Sequence, residues 1–144
     1  MTITQKIALI QSSIGGLKKT GINPHFKNEY VTLNQIIDAV TFPLTEQSLL
    51  LTMPLTNIAG RPAIKLRIES TDEAGELIEE IFTLPDLPDP QKMGSAITYY
   101  RRYMLMSFFN LKAEDDDGNV ASQVTTPTVK KNVVSKLSDD EYEY

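Results

Sequence analysis

The spacing of apolar residues changes period twice along the chain, and this alternation restricts the fold more than any other feature. Ile3, Ile7, Ile10, Ile14 and Leu17 recur at intervals of four and three, which lines one face of a helix, with Thr4 as a candidate cap. Residues 20–30 show no period and predict a loop. Thr32 and Gln35 then form a capping box, flanked by Val31 and Ile36 in the positions of a hydrophobic staple. They predict a second helix with Leu33, Ile36, Ile37 and Val40 as its buried stripe, ending or kinking near Phe42 because Pro43 follows. From Ser48 the period falls to two. Leu49, Leu51, Met53 and Leu55 alternate with Leu50, Thr52 and Thr56; Ile64, Leu66 and Ile68 with Lys65, Arg67 and Glu69; and Ile78, Phe82 and Leu84 with Glu79, Ile81 and Thr83. Glycines 60 and 75 fall in the connections, as tight turns require. After a proline-rich stretch the helical period returns. Met93, Ile97, Tyr100, Met104, Phe108 and Leu111 share one face, and Leu105, Met106 and Phe109 make the opposite face partly apolar, so this helix is expected to touch protein on more than one side. The predicted fold is α+β: two N-terminal helices, a three-stranded antiparallel β-meander, a long C-terminal helix packed on the sheet, and a disordered acidic tail.

The 144 residues suit one domain, placed at residues 1–120, with a tail at 121–144. No apolar run reaches the length of a membrane span, and the N-terminus lacks the layout of a secretory signal, so the expected location is the cytoplasm, without a membrane partner. The absence of cysteine excludes disulfides, thiolate zinc sites and cysteine nucleophiles, and a single histidine excludes multi-histidine metal sites. A net charge of -5 argues against a nucleic-acid partner until it is divided along the chain. Residues 1–112 carry eleven cations and eleven acids, while the remainder carries three lysines and eight acids. The acidity belongs to residues 113–144, which either compete with a nucleic acid for a basic groove, recruit a partner protein, or confer solubility.

No phosphate-binding loop, nucleophile elbow or dinucleotide fingerprint is present, so neither an ATP-driven reaction nor a cofactor is expected. Asp115, Asp116 and Asp117 invite a metal, but Gly118 comes fourth where a calcium loop needs glycine sixth; a solvated helix terminus explains them as well. The loop holding His25, Phe26, Lys27 and Tyr30 interleaves cations with aromatics, a pattern that serves base stacking or simply anchors a loop to the core. Lys65 and Arg67 project together from one strand face, preceded by Arg61; cations two residues apart track a phosphate backbone or merely face solvent. Residues 92–103 are the strongest local feature. Arg101 and Arg102 point about 100° apart on a helix, so one of them can pair internally while the other reaches a ligand. Gly94 marks either close backbone approach or a helix start at Ser95.

Gly94-Ser95-Ala96-Ile97-Thr98-Tyr99, Arg101-Arg102-Tyr103 and Asp115-Asp116-Asp117-Gly118-Asn119 resemble the signature of the essential recombination function (ERF) family of phage single-strand annealing proteins. Asn23-Pro24, Phe26-Lys27, Tyr30, Leu33 and residues 36–40 are similar to its N-terminal block, so the resemblance covers roughly residues 17–119. It implies ATP-independent binding of single-stranded DNA and annealing of complementary strands in phage recombination, by a homo-oligomeric ring or filament that is not an enzyme. Partner classes that suit such a protein are a host or phage single-strand binding protein and an exonuclease. Arg101, Arg102, Lys65, Arg67 and Lys27 are the phosphate candidates, with Lys92 beside them; Tyr99, Tyr103, Phe26 and Tyr30 are candidates for stacking or for shaping the groove. The competing readings are an oligomeric scaffold that ignores DNA and a metal-dependent nuclease built on Asp115, Asp116 and Asp117.

Overall fold

A computed structural model of the chain describes residues 1–114, and the acidic run at residues 115–117 and the expected tail lie outside the described residues. Among the described residues, three α-helices and two antiparallel sheets make an α+β fold. Helix α1 (Ile3–Ser13) is capped by Thr2 rather than Thr4, because Thr2 and Gln5 complete a reciprocal capping box: Gln5 N–H donates to the Thr2 hydroxyl and Thr2 N–H to the side-chain Oε1 of Gln5. Ile3, Ile7 and Ile10 are buried as the spacing predicts. The region expected to be a loop contains a small hairpin, β1 (Gly21–Ile22) paired with β2 (Glu29–Tyr30). Helix α2 (Leu33–Glu46) carries the anticipated capping box at Thr32 and Gln35. It runs through Pro43 instead of stopping before it: burial of Leu44 rewards one more turn, although the proline removes one backbone hydrogen bond.

The sheet has four strands where the alternation predicts three. Strand β3 (Leu49–Thr52) and strand β4 (Leu55–Ile58) pair with opposite ends of β5 (Arg61–Ser70), and β6 (Leu77–Thr83) lines the other side of β5. Pro54 interrupts what would have been one edge strand, since it has no N–H to offer the ladder. Its carbonyl still accepts from Lys65 N–H at 3.0 Å, so β3 and β4 form one kinked edge. Ala59 and Gly60 both take positive φ in the two-residue turn between β4 and β5.

The cross-strand register decides which side chains face the helices. Ile64, Leu66 and Ile68 of β5 are buried on the helix side, and Leu66 and Ile68 join Ile36, Val40, Leu105 and Phe109 in the core. Lys65, Arg67 and Glu69 alternate onto the outer face. Helix α3 (Pro90–Phe108) starts at Asp89, whose carboxylate accepts from Gln91 N–H, with Pro90 at the first helical position. Its fully buried residues are Ala96 and Leu105, followed by the cap residue Phe109; Met93, Ile97, Tyr100, Met104, Phe108 and Leu111, expected to form the inner face, are half-buried flanks.

Gly94 neither starts α3 nor sits against other backbone, because a Cβ built there meets nothing within 4 Å. Gly94→Ala is therefore expected to raise the unfolding free energy by about 1 kcal/mol through helix propensity alone, as read from urea denaturation.

Candidate nucleic-acid interface

Residues three and four apart share a helix face, so Lys92, Ser95, Tyr99 and Arg102 form one line along α3, and Arg101, Leu105 and Phe109 form the next. The first line meets the small hairpin. The guanidinium carbon of Arg102 lies 4.5 Å from the centre of the Tyr30 ring, 5.0 Å from that of Tyr103 and 5.5 Å from that of Tyr99. Three electron-rich faces thus hold one cation; each such contact contributes about 0.5–1 kcal/mol when exposed and more when water is excluded. Tyr99 and Tyr103 also pack on each other with ring centres 4.6 Å apart. Tyr30 in turn lies over Gly21, where an added Cβ would stand 2.5 Å from the ring. A glycine is therefore required beneath this ring, a role with no local signal in the sequence.

The second line places Arg101 where α3 packs on α2. Its side chain borders two depressions. One is lined by Ile37, Thr41, Leu44 and Leu105 among others, and the other is a groove of about 500 Å³ between Tyr30, the start of α2 and α3. Thr32, Leu33 and Asn34 supply one wall of the groove, and Ser95, Thr98, Tyr99, Arg101 and Arg102 the other. The Nε of Arg101 is buried and has no hydrogen-bond partner among the described residues. The groove also lies at the N-terminal turn of α2, whose first amides point out of the helix and carry partial positive charge. Two guanidinium groups, a helix N-terminus and several hydroxyl groups make a surface suited to an anion with many oxygens.

The structure brings Tyr30, Tyr99, Tyr103, Arg101 and Arg102 together and leaves the other anticipated residues elsewhere. Lys92 stands exposed one turn before Ser95 on the same line of α3. Phe26 and Lys27 are exposed on the hairpin loop, where Asn23 accepts from His25 and Phe26 N–H and Lys27 takes a φ of 53°. Lys65 and Arg67 occupy the outer sheet face and are ion-paired there. Lys65 Nζ lies 3.2 Å from Glu79, and Arg67 lies 2.8 Å from Glu69 and 3.4 Å from Glu79. The Glu69 hydrogen bond and charge, aided by Glu79, raise the Arg67 pKa above its ordinary value. These pairs answer the row of cations that Lys65 and Arg67 present in the sequence, and the row does not continue into the groove. The sequence reading missed Thr32, Asn34, Ser95 and Thr98 as groove-lining groups: the first two stand at a helix start, where neutral polar residues read first as caps, and the other two lie inside α3 without a charge to mark them.

Among the described residues no cluster of three or more metal-binding side chains occurs, and no helix is long and apolar enough to cross a membrane. The fold and site thus define a small α+β domain with a cationic, tyrosine-lined groove. A family model described as the ERF superfamily matches residues 3–143, and the chain belongs to that family. No curated protein and no solved structure matches it.

Gly21→Ala is expected to lower stability by about 1–3 kcal/mol, the usual cost of overpacking, because the Tyr30 ring must shift. Gly15→Ala, where an added Cβ meets nothing within 4 Å, is expected to cause no loss of that kind, and urea denaturation of the two variants makes the comparison.

Proposed function

We propose that this chain binds single-stranded DNA along the groove between Tyr30, the start of α2 and α3, and that it anneals complementary strands without ATP as a homo-oligomer in phage recombination. The observation that carries this reading is the contrast between two sets of cations. Arg101 and Arg102 line an open groove and form no ion pair among the described residues, whereas Lys65 and Arg67 are neutralised by neighbouring carboxylates. Membership in the ERF superfamily supports annealing as the activity. Annealing needs no catalytic group: the protein gathers phosphates, keeps the strand extended and leaves base edges free to pair.

In this reading Arg101 and Arg102 contact the phosphates, and Tyr30, Tyr99 and Tyr103 orient Arg102 rather than stack on bases. A guanidinium held by three rings has already lost much of its rotamer freedom, which lowers the ordering cost when a phosphate binds. Lys92 and the hairpin residues Phe26 and Lys27 lie at the margins and extend the path of the strand. The assembly is supported by an apolar seam of about 460 Å³ between β6 and α3, where Phe82 and Tyr103 are 45% and 50% exposed.

Mixing complementary labelled strands with purified protein at low salt tests the activity. Accelerated pairing without nucleotide or metal is expected, and no acceleration by the folded protein overturns the proposal. Arg101→Gln and Arg102→Gln are each expected to weaken binding to an oligothymidine and to reduce the slope of log K against log salt by about 0.7, the value for one lost single-strand phosphate contact. Lys65→Gln and Arg67→Gln are expected to leave affinity within about twofold. Fluorescence anisotropy across a salt series, with urea denaturation as the folding control, reads both outcomes.

A further inference from the structure

We infer that the acidic C-terminal end of this chain, residues 139–144, docks in the groove at Arg101 and Arg102 when no nucleic acid is bound. The inference rests on the reading of that groove as an anion-binding surface and adds the ligand that competes for it.

The course of the chain after α3 is the first support. Lys112 and Glu114 are fastened to the segment that follows α1: Leu17 N–H donates to the Lys112 carbonyl at 2.8 Å, and Glu114 N–H donates to the Leu17 carbonyl at 2.7 Å. Leu17 and Ala113 thereby form a parallel bridge. The Glu114 side chain lies over Gly16, where an added Cβ would stand 2.8 Å from its Cγ. The next residue along this anchor is Lys18, and its carbonyl accepts from the Gln35 side-chain amide at 2.7 Å. Gln35 lies in the first turn of α2, the turn that walls the groove. One side chain therefore connects the exit point of the chain to the groove wall.

Reach and charge are the second support. Thirty residues follow Glu114, and a chain of that length spans up to about 100 Å when extended. Asp139, Asp140, Glu141 and Glu143 are concentrated in its last six positions, alternating at the end with Tyr142 and Tyr144. A carboxylate accepts two parallel hydrogen bonds from a guanidinium, the geometry a phosphate also offers, so one groove suits both. Because the segment belongs to the same chain as the groove, their contact needs no bimolecular encounter. Lys65 and Arg67 are already paired with Glu69 and Glu79, whereas Arg101 and Arg102 line one groove together and form no ion pair among the described residues.

The test uses the full chain with the photo-cross-linker p-benzoylphenylalanine in place of Tyr142, irradiated without DNA and mapped by mass spectrometry. Cross-links are expected on residues 30–34 and 95–102, falling at least fivefold when Asp139→Asn, Asp140→Asn, Glu141→Gln and Glu143→Gln are combined. Cross-links elsewhere, none at all, or no response to neutralisation overturn the inference. A saturating oligothymidine separates this from the proposed function. Groove cross-links that survive bound DNA keep the docking and refute the groove as the DNA site. Cross-links that miss the groove, while Arg102→Gln still weakens DNA binding, refute the docking alone.

Discussion

The rotation of α3 about its own axis is fixed by the burial of Leu105 and Phe109, and the groove follows from that rotation. The two side chains are four residues apart on one line of the helix, and both are fully buried against the core formed with α2 and the sheet. Arg101 lies on the same line one turn earlier. Its aliphatic stem therefore covers apolar surface between α2 and α3, while its charged end is delivered to the groove. Arg102, about 100° further round, is turned toward Tyr30. The two arginines thus become neighbours in one groove by different routes, one along the core-facing line and one along the flank. A stripe centred on Met93, Ile97, Tyr100, Met104 and Phe108 would have sent Arg102 to the far side of the helix.

Arrangement, more than the number of charges, separates the two faces of this domain. On the outer sheet face, the antiparallel register sets Arg67 directly opposite Glu79, with Glu69 two residues further along its own strand. These solvent-facing pairs contribute little to stability, but they cancel the local field. In the groove the partners of Arg102 are aromatic rings, which hold a cation without neutralising it. The positive potential there remains for a ligand, reinforced by the N-terminal turn of α2. A chain with a net charge of -5 can thus present cations in one groove, because residues 1–112 are neutral in sum and the excess of carboxylates lies beyond residue 112.

Much of this was legible in the sequence. The three helices, the capping box at Thr32 and Gln35, and the alternation of β5 and β6 follow from periodicity alone. Pro43 and Pro54 show where local rules stop. Each removes one backbone donor, yet the first is absorbed because Leu44 is buried, and the second breaks an edge strand. The hairpin of β1 and β2 was illegible because two-residue strands have no period, and with it went the contact between Gly21 and Tyr30. The ion pairs of Lys65 and Arg67 depend on a register between strands that alternation within one strand does not specify. Arg101 and Arg102 stood out as adjacent cations on a helix, but the fact that tyrosines hold one and the core holds the other required the third dimension.

The central claim is that single-stranded DNA lies against the start of α2 and the arginine-bearing stretch of α3. Hydrogen–deuterium exchange of the full chain, with and without a saturating oligothymidine, tests this most directly, since the amides of Leu33 and Asn34 open α2 ahead of the capped Gln35 and have no helical carbonyl one turn earlier to bond. The account predicts slowed exchange in peptides covering residues 30–35, and no change in peptides covering the outer face of β5 and β6. Protection confined to β5 and β6, with residues 30–35 unaffected by bound DNA, would contradict it.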